Sequence, residues 1–184
     1  MALLALHALV WAAFLGARLA GRAPRRIDAA SATSEHRAGR SVLIWHGLAF
    51  AVLYAGIWQA ALTHRHAALP FSGTIVIAAG LGLMLWALRS FHSWRLDPRI
   101  DHGHQLATVG PFRLMRHPIY CGIDLLALGS VLWQPTILVW IGFVALAVTG
   151  DFRARTEERL LHCAFGETYA DYCRKTRRFV PGIY

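Results

Sequence analysis

Apolar residues along this chain gather in long blocks separated by short polar gaps. The first block runs from about Ala2 to Ala20, the second from about Ser41 to Leu62, and the third from about Phe71 to Phe91. Each is close to the roughly 20 residues that an α-helix needs to cross a bilayer. The stretch from Ile119 to Thr149 is too long for one ordinary span, and Gln134-Pro135 interrupts it. Proline removes a helix donor and clashes with the preceding turn. Two closely coupled helices, about 119–133 and 136–149, are therefore predicted, joined by a tight turn. Beyond Gly150, Leu160, Leu161, Ala164, Phe165 and Tyr169 recur at three-to-four spacing among charges, the pattern of an amphipathic helix. The expected fold class is all-α: a polytopic integral membrane protein with five transmembrane helices and a C-terminal amphipathic helix. No Gly/Ser/Pro-rich linker divides the chain, so residues 1–184 read as a single membrane domain.

Composition agrees, since 56% of the 184 residues are hydrophobic. The formal charge is +9, from 19 basic and 10 acidic residues. That balance alone would suit nucleic acid, but the basic residues cluster in the gaps between apolar blocks. There they suit anionic lipid headgroups, and nucleic acid is not an expected partner. Arg22, Arg25, Arg26, Arg37 and Arg40 separate the first two blocks; Arg95, Arg99, Arg113 and Arg116 follow the third. Arg153, Arg155, Arg159, Arg174, Lys175, Arg177 and Arg178 follow the last. The other two connections are poor in charge, with His64-Arg65-His66 in one and none in the other. The positive-inside rule puts the rich segments in the cytoplasm and the N-terminus outside. Five spans independently require the termini to lie on opposite sides. A cleaved signal peptide would carry a positive residue before its apolar run; here the basic cluster follows it, as in an N-out anchor.

Cys121, Cys163 and Cys173 form no C-x-x-C pair and no even framework, so they read as reduced packing residues. His102 and His104 lack further ligands at zinc spacing. His7, His46, His64 and His92 lie within or near spans, and a haem- or quinone-binding protein would need two of them on facing helices.

Two polar blocks adjoin the last helical pair. Arg116-His117-Pro118-Ile119-Tyr120-Cys121-Gly122 opens it; Arg153, Glu157, Glu158, then Phe165-Gly166 and Tyr169 follow it. A hairpin returns both blocks to the same side of the membrane. Ionisable residues at a bilayer edge are expensive and mark a functional-site hypothesis by default. The segment before Pro118 carries a Gly110-Pro111 turn signal and reads as a loop. Pro118 suits the first turn of the fourth helix, which puts His117 near its N-cap, where backbone amides favour an anionic group. Arg153 and Glu157, four apart, share one helix face. Asp124, about one turn inside the fourth span, reads either as a partner for a nearby arginine or as a polar group facing a reaction chamber.

The ordered set His104-x-Leu106-x-Thr108-x-Gly110, Arg116-His117-Pro118-x-Tyr120-x-Gly122, Arg153-x-x-x-Glu157-Glu158 and Phe165-Gly166-x-x-Tyr169-x-x-Tyr172, closed by Pro181, resembles the isoprenylcysteine carboxyl methyltransferase family. That family belongs to a wider set of integral-membrane methyltransferases that includes phospholipid N-methyltransferases. The resemblance covers His104 to Pro181, less than half of the chain. It implies that S-adenosylmethionine binds on the cytoplasmic side, within residues 97–122 and 150–181. By position, His104, Gln105, Leu106, Ala107 and Phe112 would surround the adenosine. His117, Pro118, Ile119 and Tyr120 would line the cofactor, and Glu157 would hold its amino-acid end. Arg153 would face the substrate carboxylate, with Glu157 and Glu158 completing the catalytic group. Gly80-Leu81-Gly82 resembles the small-residue cofactor motif of the phospholipid enzymes, although glycine pairs also serve helix packing.

These parts suit methyl transfer. A sulfonium carries an activated methyl group, so alignment of the attacking atom is the main demand. A carboxylate is already ionised and can be fixed by an arginine. An amine would need a proton acceptor, for which Glu158, Asp124 or His117 would serve. The expected acceptor is a lipophilic or prenylated molecule from the bilayer, of the prenyl-cysteine type, with a phospholipid amine or another small lipophilic acceptor as the alternative. A non-catalytic scaffold or small transporter subunit is the rival class, and it predicts no cofactor binding.

Overall fold

The computed structural model describes residues 1–20, 34–63, 67–90 and 106–184, with residues 34–40 described for their backbone alone. Among the described residues five α-helices follow one another: α1 (Ala2–Ala20), α2 (Ser34–Leu62), α3 (Pro70–Ser90), α4 (Pro118–Trp133) and α5 (Ile137–Lys175). A short 3-10 turn spans Gly110–Arg113. Among the described residues there is no strand beyond an isolated parallel bridge between Met115 and Arg177. Four helices, α1, α2, α3 and α5, are long and apolar enough to cross a membrane. The fourth, α4, has 16 residues, about 24 Å of rise against a hydrocarbon core of about 30 Å.

The helices pair through small residues. Gly73 and Gly80 on α3 face Gly129 and Gly122 on α4. A Cβ added at Gly80 would come within 2.6 Å of the Gly122 carbonyl oxygen. One added at Gly73 would meet the Gly129 carbonyl oxygen at 2.6 Å. The seven-residue spacing repeats the contact after two turns, so the backbones approach closely along a seam. Gly80 is thus a packing residue, whereas Gly82 has no neighbour within 4 Å of its Cβ direction. A second seam joins α2 to α5, with Gly56 against Leu138 and Val139, and Gly142 against Leu53.

Polar groups complete the bundle where apolar packing alone cannot specify it. His7 on α1 is buried and lies 3.0 Å from the Tyr54 hydroxyl on α2 and 2.9 Å from Ser130 Oγ on α4. Ser130 donates to the Leu126 carbonyl, so its oxygen accepts from His7 Nε2, and His7 Nδ1 in turn accepts from Tyr54. Both ring nitrogens are therefore used in tying three helices together.

At that end of the bundle, the amides of Ala68 and Leu69 donate to the carbonyls of Trp133 and Leu132, capping α4 from the α2–α3 connection. Gln134 and Pro135 break the chain as expected, and Thr136 caps α5 by accepting from the Val139 amide.

The tail is not a separate amphipathic helix: α5 runs unbroken from Ile137 and changes direction only at Gly166, where φ is 49° and ψ is −124°. No proline lies between residues 137 and 175, so the backbone ladder has no cause to stop at Gly150. Asp151 and Arg155, four apart and 2.6 Å from each other, also support that turn. The predicted apolar stripe is only partly covered: Tyr169 is buried, Leu160, Leu161 and Phe165 are half-buried, and Ala164 is exposed.

Candidate functional site

The hairpin of α4 and α5 brings the two polar blocks together at the end of the bundle opposite the Gln134-Pro135 turn. His117 is the N-cap residue of α4 and makes no side-chain capping bond. Its ring turns to α5, with Nε2 3.3 Å from Glu158 Oε1 and Nδ1 3.6 Å from Glu157 Oε2. Tyr120, one turn further on, stacks on His117 at 5.7 Å between ring centroids and donates its hydroxyl proton to Glu157 Oε1. Arg153 Nε donates to the same hydroxyl at 3.1 Å, its guanidinium carbon 5.3 Å from the Tyr120 ring centroid. Arg153 Nη2 is 4.0 Å from Glu157. Arg153, Tyr120 and Glu157 thus form one cluster across two helices, with Arg153 and Tyr120 buried and Glu157 24% exposed.

Glu158 serves a second cluster. It accepts from Arg116 Nε at 2.8 Å, and from Arg178 Nε at 3.1 Å and Nη2 at 2.6 Å. Burial raises the affinity of this carboxyl for its proton, but the hydrogen bonds from His117, Arg178 and Arg116 outweigh it and hold Glu158 well below the usual carboxylate range. Arg178 also reaches Asp151 at 3.1 Å. The backbone follows the same path: the amides of Arg116 and His117 donate to the carbonyls of Arg177 and Arg178 at 2.8 and 3.0 Å. These bonds strap the C-terminal segment across the entrance to α4 and satisfy donors that a helix N-terminus leaves open.

The turn at Gly166 lets Tyr169 and Tyr172 fold back under the loop. Tyr172 donates to the Phe112 carbonyl at 2.7 Å, and Tyr169 is 1% exposed. A positive φ there favours glycine, which gives the Phe165-Gly166 pair its physical meaning.

Of the residues expected to surround a cofactor, Pro118, Ile119 and Phe112 are buried, and Leu106 and Ala107 are half-buried. Phe112 and Ile119 belong to the apolar core. His104 and Gln105 lie outside the described residues, as do His64, His92 and His102. Asp124 is half-buried within α4. Arg116 belongs to the polar block singled out in the sequence, where it had no assigned role, whereas Arg178 and Asp151 were not expected as site residues. A basic tail gives no spacing signal for which arginine turns inward.

The phospholipid methyltransferase family model matches residues 69–168, more than half of the chain, and the protein belongs to that family. Together with its long apolar helices, this makes it an integral membrane protein. Its relatives include protein-S-isoprenylcysteine O-methyltransferase A of Arabidopsis thaliana, 33% identical over 118 residues, covering 60% of this chain and 58% of that protein. The cobalt-zinc-cadmium resistance protein CzcN of Cupriavidus metallidurans is 37% identical over 80 residues, 42% of this chain and 36% of its own. The protein-S-isoprenylcysteine O-methyltransferase of Dictyostelium discoideum is 30% identical over 83 residues, 44% of this chain and 35% of its own. The chain therefore matches a third to three fifths of these relatives' lengths.

Proposed function

We propose that this protein transfers the methyl group of S-adenosylmethionine to a lipophilic carboxylate at the membrane, of the prenyl-cysteine type. The observation that carries this reading is the convergence of Arg153 and Glu157, one turn apart on α5, on Tyr120 of α4. In this reading α4 completes a five-span bundle, the N-terminus lies outside, and the Arg153–Glu157 end faces the cytoplasm.

The donor set suits a cationic cofactor. Glu157, the most exposed member, offers a carboxylate to an ammonium group. When bound, S-adenosylmethionine supplies an activated methyl group. The protein has to bind, align and dry the acceptor. Arg153, buried and held by Tyr120, fixes a carboxylate in one orientation with its planar fork. Alignment in a water-poor chamber then accounts for most of the acceleration. Glu158 enters this scheme as a positioning residue, because its oxygens are taken by Arg116, Arg178 and His117.

A labelled-methyl assay with purified protein tests the reading. Arg153→Ala and Glu157→Ala should each lower turnover about 100-fold or more, Glu157→Ala with loss of cofactor affinity and Arg153→Ala without it. Wild-type turnover in both variants would refute the assignment. The family match to phospholipid methyltransferases favours a second reading, in which the acceptor is a lipid amine. Mass analysis of the product separates methyl ester from methylamine.

A further inference from the structure

One stripe of α5 faces outward along the whole span. Ile137, Ile141, Val144, Val148 and Phe152 recur at three-to-four spacing and are 48–74% exposed. The same stripe continues into Arg155 and Arg159, both exposed. The change from apolar to basic falls about 27 Å of helix rise beyond Ile137, close to the full thickness of a hydrocarbon core of about 30 Å. At that level the C-terminal segment makes a closed turn. The amides of Phe179 and Val180 both donate to the Tyr184 carbonyl at 2.7 Å, and those of Ile183 and Tyr184 to the Val180 carbonyl at 3.1 Å. Gly182, at φ 78°, allows the reversal. Tyr184 pins the turn to α5: its hydroxyl donates to Asp151 Oδ1 at 3.0 Å and accepts from Arg155 Nη2 at 2.9 Å and Arg178 Nη1 at 2.8 Å.

Phe179 of this segment is buried, its ring centroid 6.0 Å from that of His117. Val180 and Ile183 are turned the other way, 44% and 80% exposed. A turn closed by four backbone hydrogen bonds and tied to α5 by a tyrosine thus presents aliphatic side chains where the lipid-facing stripe meets its first arginine. Water is a poor surrounding for them. The edge of a bilayer suits each part: acyl chains for the aliphatic groups, the interface for a tyrosine ring, anionic headgroups for arginines.

We propose that the turn at residues 180–184 is a membrane foot: Val180 and Ile183 enter the upper acyl chains of the leaflet on the Arg153 side, with Tyr184 and Arg155 at headgroup level. The partner is the bilayer surface itself, continuous with the lipid that covers the α5 stripe up to Phe152. The foot bears on the site through the residues just before it. Arg178 holds Glu158, and the carbonyls of Arg177 and Arg178 hold the amides that open α4. Lipid against the turn therefore steadies the end of α4 that presents His117 and Tyr120 to Glu157. The coupling is independent of which acceptor is methylated.

The test places trifluoromethylphenylalanine at Ile183 in the full chain, reconstituted in nanodiscs of phosphatidylcholine and phosphatidylglycerol, and follows its single fluorine NMR signal. Nitroxide carried high on the acyl chains should broaden that signal more strongly than a water-soluble gadolinium chelate does. The order should reverse for the same label at Ala164, exposed further along α5. At Ile183, broadening at least as strong from the chelate puts the turn in water, and broadening by neither probe puts it under protein; either result overturns the foot. A second arm reads the strap. Ile183→Asp should speed tryptic cleavage after Arg177 and Arg178 about tenfold in the same nanodiscs, while Ile183→Leu leaves it unchanged. Equal cleavage of Ile183→Asp and the wild-type protein overturns the coupling between lipid and strap.

Discussion

Replacing Glu158 by glutamine keeps the shape of the side chain and removes its charge, which isolates the electrostatic part of the strap between the C-terminal segment and α4. Glu158 accepts three hydrogen bonds from Arg116 and Arg178. The groups are 11–16% exposed, so solvent screens them little. A hydrogen bond to a charged group contributes about 1.5–3 kcal/mol and a neutral one about 1 kcal/mol. Glutamine keeps one oxygen and turns an amide toward an arginine, so the three contacts together should lose about 2–4 kcal/mol. For a chain of this size that is a drop of roughly 5–15 °C in Tm, read by thermal unfolding in detergent. Arg178→Gln should cost less alone, because Arg116 still pairs with Glu158. The double variant should show coupling of about 1 kcal/mol or more. The pH dependence has a definite sign. The folded Glu158 carboxyl sits below its unfolded value, so its contribution is complete above about pH 4.3 and is lost as pH falls toward the folded value. The stability gap between wild type and Glu158→Gln should therefore narrow on acidification. A variant within about 0.5 kcal/mol of wild type at neutral pH would refute the reasoning.

Two other substitutions probe the framework. Gly80→Ala pushes a methyl group to within 2.6 Å of the Gly122 carbonyl oxygen, so α3 and α4 must part, at about 1–3 kcal/mol in unfolding measurements. Gly82→Ala, with open space around it, should be close to neutral under the same conditions. Gly166→Ala meets no atom within 4 Å but forces an L-residue to φ near +49°, costing about 1–3 kcal/mol. The same change should loosen the Tyr172–Phe112 contact, seen as faster proteolysis of the tail.

Much of this architecture is readable in the chain because membrane spans leave a coarse mark. Ala2–Ala20 coincides with its block, and α3 and α4 begin one residue before theirs. The Gln134-Pro135 break is legible because proline has a fixed backbone cost. The length of α5 was hidden: the change from apolar to charged residues at Asp151 looks like a boundary, but a helix needs only an intact backbone ladder to continue. Gly166 was visible as part of a motif but not as a bend, since an isolated glycine is tolerated within helices. The meeting of His117 and Tyr120 with Arg153, Glu157 and Glu158 follows from hairpin topology. The inward turn of Arg178 does not, because it depends on side-chain contacts between distant elements.

In the proposed reaction the Glu157 cluster holds the amino-acid end of S-adenosylmethionine. Titration of the purified protein with S-adenosylhomocysteine, followed by calorimetry, tests it without requiring the acceptor to be known. The wild-type protein should bind saturably at one site, and Glu157→Ala, still cooperatively folded at the titration temperature, should not bind. Equal binding by the two proteins, or none by a folded wild type, would contradict it.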